Sequence, residues 1–142
     1  NKMSYWLFKS EPSTWSWDDH EKKGTEHWDG VRNYQANNNM KKMKVGDLGF
    51  FYHSVKEKKI IGIVEVVKEH YPDHTDKSGR FGMVDLKAVN RVKKPVTLSE
   101  IKDNPRLSDM VLVNNSRLSV QPVSDSEWSE ICRMAEEISV KA

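Results

Sequence analysis

Two β-rich runs joined by a charged link constrain the fold more than any other feature of this sequence. The runs are LGFFYHS at 48–54 and IIGIVEVVKEHY at 60–71. Both contain many of the β-branched and aromatic residues that favour strands. Because only VKEKK (55–59) separates them, they predict a β-hairpin with a solvated tip. The rest of the sheet must be built around this antiparallel pair.

Three further segments have the composition or alternation of strands: YWLFKS at 5–10, MVDLKAVNRV at 83–92 and RLSVQPV at 117–123. In the first of them, Trp6 and Phe8 alternate with Tyr5 and Leu7, so the two pairs are expected on opposite faces of the sheet. Each segment is too short to fold alone, and each therefore predicts one strand of a larger sheet.

Short helices are predicted between and after the strands. The segment TWSWDDHEKKG begins with a capping-box pattern at Ser16 and Asp19, and a second helix is expected over 34–42. Two more short helices should follow Pro95. The last helix should begin at the capping box of Ser124 and Glu127. Its apolar stripe consists of Trp128, Ile131, Cys132, Ala135 and Ile138.

Strands separated by small helices do not form a repeated β-α-β series. We therefore predict an α+β domain, with a mixed, mainly antiparallel sheet that curls into a barrel, short helices at the connections and a C-terminal helix. The length of 142 residues suits one hydrophobic core, so we expect a single domain over residues 3–142. Asn1 and Lys2 precede Met3 and are expected to be an expression-vector remnant.

The charge and cysteine content limit the class of protein. The net charge of +2 is far below that of proteins that bind duplex nucleic acid mainly through phosphate contacts, so any such role would need a local pocket. The single cysteine fits a reducing compartment. With neither a membrane-spanning run nor a signal peptide visible, we expect a cytoplasmic protein (nuclear if eukaryotic) that is a monomer and has no membrane partner.

Common catalytic and metal-binding signatures are missing from the sequence. It contains no GxGxxG, Walker, GxSxG or HExxH pattern. The five histidines do not have zinc-ligand spacing, and the alternative is a mixed set of His70, Asp73, His74 and Asp76. Cys132 lies in the helical apolar stripe and is expected to be a core residue. We therefore expect no cofactor, no metal and no enzymatic activity.

Polar groups that a hydrophobic core would not need occur in four short stretches. The longest is HWDGVRNYQANNNM at 27–40, which places Trp28, Arg32 and Tyr34 among four asparagines without an aliphatic run. The other three stretches are Lys9-Ser10, His53-Ser54 and Arg117 with Ser119. Because barrel strands end at a common rim, these distant segments are expected to meet at one cleft.

These segments, in this order, resemble the EVE-domain family of the PUA-like superfamily. The resemblance rests on YWLFKSEP, HWDGVRNYQANNNMKKMKVGD, FFYHS, GIVEVVKEHYPD and SRLSVQPV, and it extends from about Ser4 to Met134. It implies a PUA-like β-barrel that binds DNA or RNA carrying a modified base, such as a methylated or hydroxymethylated pyrimidine. One departure is Asn37, where many members carry arginine (QARNN), so an arginine contact with phosphate would be missing here.

Within the pocket that the resemblance implies, residue chemistry suggests the following roles. Trp28 would stack on a flipped or unpaired base. The hydrogen-bonding side chains of the pocket would be Ser10, Asn33, Asn39, His53, Ser54 and Ser119. Phosphate would be bound by Lys9, Arg32 and Arg117.

Other interpretations of the same residues remain open. Asn37 to Asn39 could simply cap a helix, His53 could be a structural histidine, and Arg117 could pair with a surface carboxylate. Trp6, Trp15 and Trp17 are expected to pack in the core or against a helix. At the level of function, the alternatives are a small-molecule or nucleotide sensor or interaction module on the same barrel, and an RNA- or nucleotide-processing enzyme with His53 as general base.

Overall fold

A mixed sheet of six strands forms the centre of the computed structural model, which describes residues 3–136. The strands are β1 (Tyr5–Ser10), β2 (Thr25–His27), β3 (Leu48–His53), β4 (Lys59–Pro72), β5 (Gly82–Thr97) and β6 (Val120–Val123). The α-helices are α1 (Trp17–Lys23), α2 (Tyr34–Lys41), α3 (Leu98–Lys102), α4 (Val111–Asn114) and α5 (Asp125–Met134), with a 3-10 turn at Pro105–Leu107.

The strand order is β2-β5-β4-β3-β1-β6. Among the strands described, only the β1–β3 pair is parallel, and the predicted hairpin is the β3–β4 pair. The mixed, mainly antiparallel sheet with short helices and a C-terminal helix is therefore confirmed. The sheet is not closed into a full barrel, because no pairing within residues 3–136 joins β2 to β6. Both edge strands are very short, and β4 and β5 deviate from regular register at several points, which bends long strands.

Hydrophobic residues are buried on both faces of the sheet. On one face, Leu7 and Phe50 pack in a cluster with α5, where Phe50 stacks on Trp128 with ring centroids 4.0 Å apart. On the other face, Phe8 and Phe51 pack with two tryptophans, Trp17 of α1 and Trp28. The predicted alternation of β1 is therefore confirmed, and the second face is the one beneath the candidate site.

The two capping boxes predicted from the sequence are both present. Ser16 caps α1 and Ser124 caps α5, each with a complete capping box. The predicted stripe of α5 is buried as far as Ala135, and Ile138 lies outside the described residues. No helix within residues 3–136 is both long and apolar enough to span a membrane.

Three strands differ from the prediction: β2, β5 and also β6, which begins at Val120 and not at the expected residue 117. β2 has only three residues and was not predicted, because so short a run has no readable alternation. β5 continues through Pro95 to Thr97, where a break was expected. Its pairing with β4 skips from Arg91 to Val96, so Pro95 lies in an irregular stretch where its missing N–H is tolerated.

Candidate functional site

A cleft of about 490 Å³ lies between the end of β1 and the segment that links β2 to α2. Its residues come from three parts of the chain that are distant in sequence. They are Lys9, Ser10, Glu11, Thr14 and Trp15 at and after the end of β1, residues 26–32 at and after the end of β2, and Ser119 before β6. The volume lies within the range of pockets that hold small organic ligands.

Half of the ten site residues predicted from the sequence line this cleft: Lys9, Ser10, Trp28, Arg32 and Ser119. Their convergence follows from the pairing of β1 with β6 and from the position of the 27–32 segment above β1. The backbone N–H of Lys9 donates to the carbonyl of Ser119 at 2.9 Å, so the two polar ends are held together directly.

Trp28 forms the floor of the cleft. Its side chain is only 9% exposed, and its ring meets Phe8 and Phe51 edge to face, with centroids 5.6 Å away in each case. The backbone N–H of Trp28 donates to the carbonyl of Val84 at 2.7 Å. The indole is therefore part of the core and presents only a limited surface to a ligand.

Trp15 provides a second aromatic surface, although its sequence context predicted packing in the core or against a helix. It is half-buried in the cleft wall, and its Nε1–H donates to His20 Nδ1 at 3.0 Å. His20 Nε2 lies 2.8 Å from the carbonyl of Leu86, so the ring carries its proton on Nε2. Burial lowers the pKa of His20, which favours this neutral form and fixes the indole. The sequence feature that indicates a site role for Trp15 is its position in a Pro-containing turn directly after Lys9-Ser10.

Ser10 and Lys9 are tied to neighbouring backbone. The hydroxyl of the buried Ser10 donates to the carbonyl of Trp15. The ammonium of Lys9 donates to the carbonyl of Ser116, and burial lowers the pKa of Lys9. Ser10 therefore shapes the turn that carries Trp15, while Lys9 holds the segment before β6 at the cleft.

The outer rim of the cleft is braced by Asp73, in the loop between β4 and β5. Its buried carboxylate accepts from the backbone N–H of Gly30 at 2.8 Å and from Nη1 of Arg32 at 3.1 Å. Burial alone would raise the pKa of Asp73, but hydrogen bonds from Thr75, Gly30 and Arg32 outweigh it and lower the pKa to about 2. The half-exposed guanidinium of Arg32 is therefore already paired on one side.

Asn33 and Asn39 do not line the cleft, although both were predicted to contact a base. The side-chain oxygen of Asn33 caps α2 by accepting from the backbone N–H of Ala36 at 2.9 Å. The amide of Asn39 donates to the carbonyl of Val120 at 2.8 Å. Asn33 therefore stabilises the start of α2, whereas Asn39 ties α2 to β6.

His53 is also outside the cleft, and both of its ring nitrogens have partners. Nε2 accepts from the backbone N–H of Trp17 at 2.9 Å, and Nδ1 lies 3.0 Å from a carboxylate oxygen of Glu57. The side chain is buried. The structure therefore gives His53 the role of joining α1 to the β3–β4 hairpin, which was the structural interpretation left open by the sequence.

A second groove of about 520 Å³ shares Lys9 and Ser119 with the cleft. Ser54 lies in this groove, together with Lys58 and Lys102. With Lys9, three lysine ammonium groups therefore lie along the groove. Arg117 is exposed and lines neither surface. The basic side of the site is thus formed largely by lysines that no sequence pattern indicated, because Lys58 belongs to the hairpin link and Lys102 to a short helix.

Asn37, at the position where the sequence departs from the family pattern, is buried. Its Oδ1 accepts from Nε2 of His70 at 2.9 Å and from the backbone N–H of Gly82 at 3.0 Å. These bonds join α2 to the β4–β5 hairpin. His70 and Asp73, two members of the metal set considered from the sequence, are therefore engaged with different partners.

Comparisons with known proteins identify relatives over almost the whole chain. The model of the EVE domain matches residues 4–134. Thymocyte nuclear protein 1 of Gallus gallus is 39% identical, over 96% of this chain and 72% of its own length. The solved structure of Rpa0253 from Rhodopseudomonas palustris is 51% identical with a TM-score of 0.91, covering 96% of this chain and 95% of that one.

A further solved structure contains a ligand. It is the crystal structure of human THYN1 protein in complex with DNA containing 5-methylcytosine. Its chain is 35% identical to this one with a TM-score of 0.88, over 94% of this chain and 98% of the human one. The fold and the order of its elements are thus shared between this protein and a protein solved with modified DNA.

Proposed function

The chain belongs to the EVE-domain family, and we propose that it is a non-catalytic nucleic-acid-binding domain that encloses a modified base in the cleft beside Trp28. The observation that carries this proposal is the similarity to human THYN1 protein, solved in complex with 5-methylcytosine-containing DNA. We propose 5-methylcytosine in DNA as the first ligand to test, with 5-hydroxymethylcytosine and methylated RNA as the alternatives.

The geometry of the cleft supports enclosure of a single base. Removing a base from the stack costs a few kcal/mol, which an enclosing pocket must offset. Trp15 and Trp28 place two indoles on the cleft surface, and stacking on an aromatic side chain contributes roughly 1–3 kcal/mol per base. Trp15 is the more exposed of the two, so we assign the stacking contact to Trp15 and the floor to Trp28.

Preference for the modified base would come from packing around its methyl group. One methyl-sized group in an apolar pocket is worth about 1–3 kcal/mol, or roughly tenfold or more in affinity. Trp28 and Val31 are the buried apolar residues of the cleft lining. We therefore expect a moderate preference for methylated over unmodified DNA.

The lysine groove would bind the phosphates next to the enclosed base. Lys58 and Lys102 lie along it, and Lys9 joins it to the cleft. Phosphate contacts position a strand without reading its sequence. A groove that extends beyond the base-sized cleft favours a polymer over a free nucleotide as the ligand, and so favours this function over that of a nucleotide sensor.

The test is a binding titration with matched oligonucleotides that differ only at one cytosine: unmodified, 5-methyl or 5-hydroxymethyl. Fluorescence polarisation should show saturable binding that is about tenfold tighter for a modified form, consistent with the size of one methyl contact. Equal affinity for all three, in DNA and in RNA, would contradict the proposal.

A pair of aromatic variants locates the site. Trp15→Ala should weaken binding of the modified oligonucleotide at least fivefold, consistent with the loss of one stacking contact. Tyr34→Ala is the matched control, because Tyr34 is 57% exposed and lies outside both grooves. If the two variants bind equally well, the cleft beside Trp28 is not the base site.

A further inference from the structure

Three side chains that commonly bind metals meet at the rim of the cleft. His27 and Asp29 lie at and just after the end of β2, and His74 lies in the loop between β4 and β5. One ligand atom of each is within 4.8 Å of the other two. We propose that His27, Asp29 and His74 bind a divalent transition-metal ion of the zinc class. This proposal does not depend on base recognition.

The geometry requires only small side-chain adjustments. The rings of His27 and His74 are perpendicular with centroids 5.0 Å apart, and His27 Nε2 lies 3.8 Å from Asp29 Oδ2. Zinc bonds of about 2.0–2.2 Å would place the ligand atoms roughly 3.3 Å from one another. The three side chains are exposed or half-exposed, so rotations that move each ligand atom by about an ångström are available.

A neighbouring carboxylate orients His27 in the way that metal-binding histidines require. Glu26 Oε1 lies 3.2 Å from His27 Nδ1 and also accepts from the backbone N–H of His27 at 3.1 Å. A proton held on Nδ1 by this carboxylate leaves Nε2, the atom nearer Asp29, as the free donor of electrons. Such a carboxylate–histidine pair is the usual partner arrangement behind a metal ligand.

The two loops that carry the ligands are already fixed to each other. Asp73, next to His74, binds the backbone N–H of Gly30 and the guanidinium of Arg32. The ligands are therefore held close together before any ion binds, which reduces the ordering cost of binding. Nitrogen and oxygen ligands suit zinc, and three protein ligands leave a position for water or for an oxygen atom of a molecule in the cleft.

This set differs from the one considered from the sequence, and only His74 is common to both. His27 and Asp29 are 45 or more positions away from His74 along the chain, so no spacing pattern indicated the site. The expectation of no metal rested on that missing pattern, and the folded arrangement is what motivates this proposal.

The test is an isothermal titration of the metal-free protein with zinc chloride, without nucleic acid. We expect saturable one-to-one binding, with an affinity at least tenfold lower in His74→Ala and in Asp29→Asn. Glu26→Gln should keep the stoichiometry and weaken binding about tenfold, since losing a carboxylate behind a ligand typically costs 10- to 100-fold. The matched controls His70→Gln and Asp76→Asn, from the set considered in the sequence, should bind like the wild-type protein.

A second measurement identifies the ligand atoms. In long-range ¹H–¹⁵N NMR spectra, zinc should shift the Nε2 signal of His27 while Nδ1 stays protonated. Non-saturable binding to the wild-type protein, or unchanged affinity in both His74→Ala and Asp29→Asn, would overturn the proposal. Because nucleic acid is absent from these experiments, that outcome would leave the proposed base-binding function untouched.

Discussion

The substitution Asn37→Ala tests how the helix beside the cleft is held in place. Asn37 is 2% exposed, and its Oδ1 accepts two hydrogen bonds, from the buried backbone N–H of Gly82 and from His70. Alanine removes both acceptor contacts while keeping good helix propensity in α2. Any loss of stability therefore reports the hydrogen bonds and the small space left behind.

The expected loss is about 2–4 kcal/mol in the free energy of unfolding. A buried donor left without a partner costs roughly 1–3 kcal/mol, which applies to the N–H of Gly82. His70 is only half-buried and can turn to water, so its lost bond should cost about 0.5–1.5 kcal/mol. This loss is a substantial fraction of the 5–15 kcal/mol that typically stabilises a whole domain.

Urea unfolding followed by tryptophan fluorescence measures this change. The matched control is Asn38→Ala, the same substitution at the next position of α2, where the side chain is exposed. Asn38→Ala should be neutral or slightly stabilising. If the two variants unfold within about 0.5 kcal/mol of each other, the uncertainty typical of surface substitutions, the interpretation of Asn37 as a tie between α2 and the β4–β5 hairpin is wrong.

Three further outcomes are expected. Replacing His53 by alanine should lower the free energy of unfolding by about 1–3 kcal/mol, because the buried N–H of Trp17 loses its acceptor. The affinity for DNA should stay within threefold of the wild-type value. Normal stability together with lost DNA binding would place His53 in the site. Burial lowers the pKa of His20 from 6.5, so the neutral ring contributes to stability above pH 6.5, and this contribution is lost as the pH falls below that value. In urea unfolding between pH 7.5 and 5, the free energy of unfolding of His20→Gln should therefore depend less on pH than that of the wild-type protein. Lys58→Ala and Lys102→Ala should each weaken DNA binding and reduce the salt slope by about 0.9, whereas Lys87→Ala, outside both grooves, should behave like wild type in the same salt titration.

Sequence alone predicted the elements with strong local signals. The hairpin of β3 and β4 is indicated by two β-rich runs with a short charged link, and α5 by the pair Ser124 and Glu127 followed by an apolar stripe. Strand pairing between distant segments leaves no such local trace. The short β2 and the edge position of β6 depend on which partners are available in three dimensions, so the open sheet was not predictable from periodicity.

The candidate site was predictable in composition but not in the use of each residue. Lys9, Ser10 and Trp28 were expected at one cleft and line it. In sequence, Asn39 and His53 cannot be distinguished from residues that bind a ligand. In the structure, they form hydrogen bonds with backbone groups of β6 and α1. Whether a buried amide or imidazole is free to bind a ligand depends on which backbone groups the fold leaves without partners, and the sequence does not show that.

The place of β1 between β3 and β6 has a consequence for how the protein is made. Tyr5 and Phe8 lie opposite Val123 and Val120 in the finished sheet, so β1 must wait for β6, the last strand within residues 3–136, to leave the ribosome. Contacts between such distant segments slow folding, and an exposed apolar strand is prone to aggregation while it waits. The cleft, whose walls include Ser119 next to β6, can therefore form only after β6 has been synthesised.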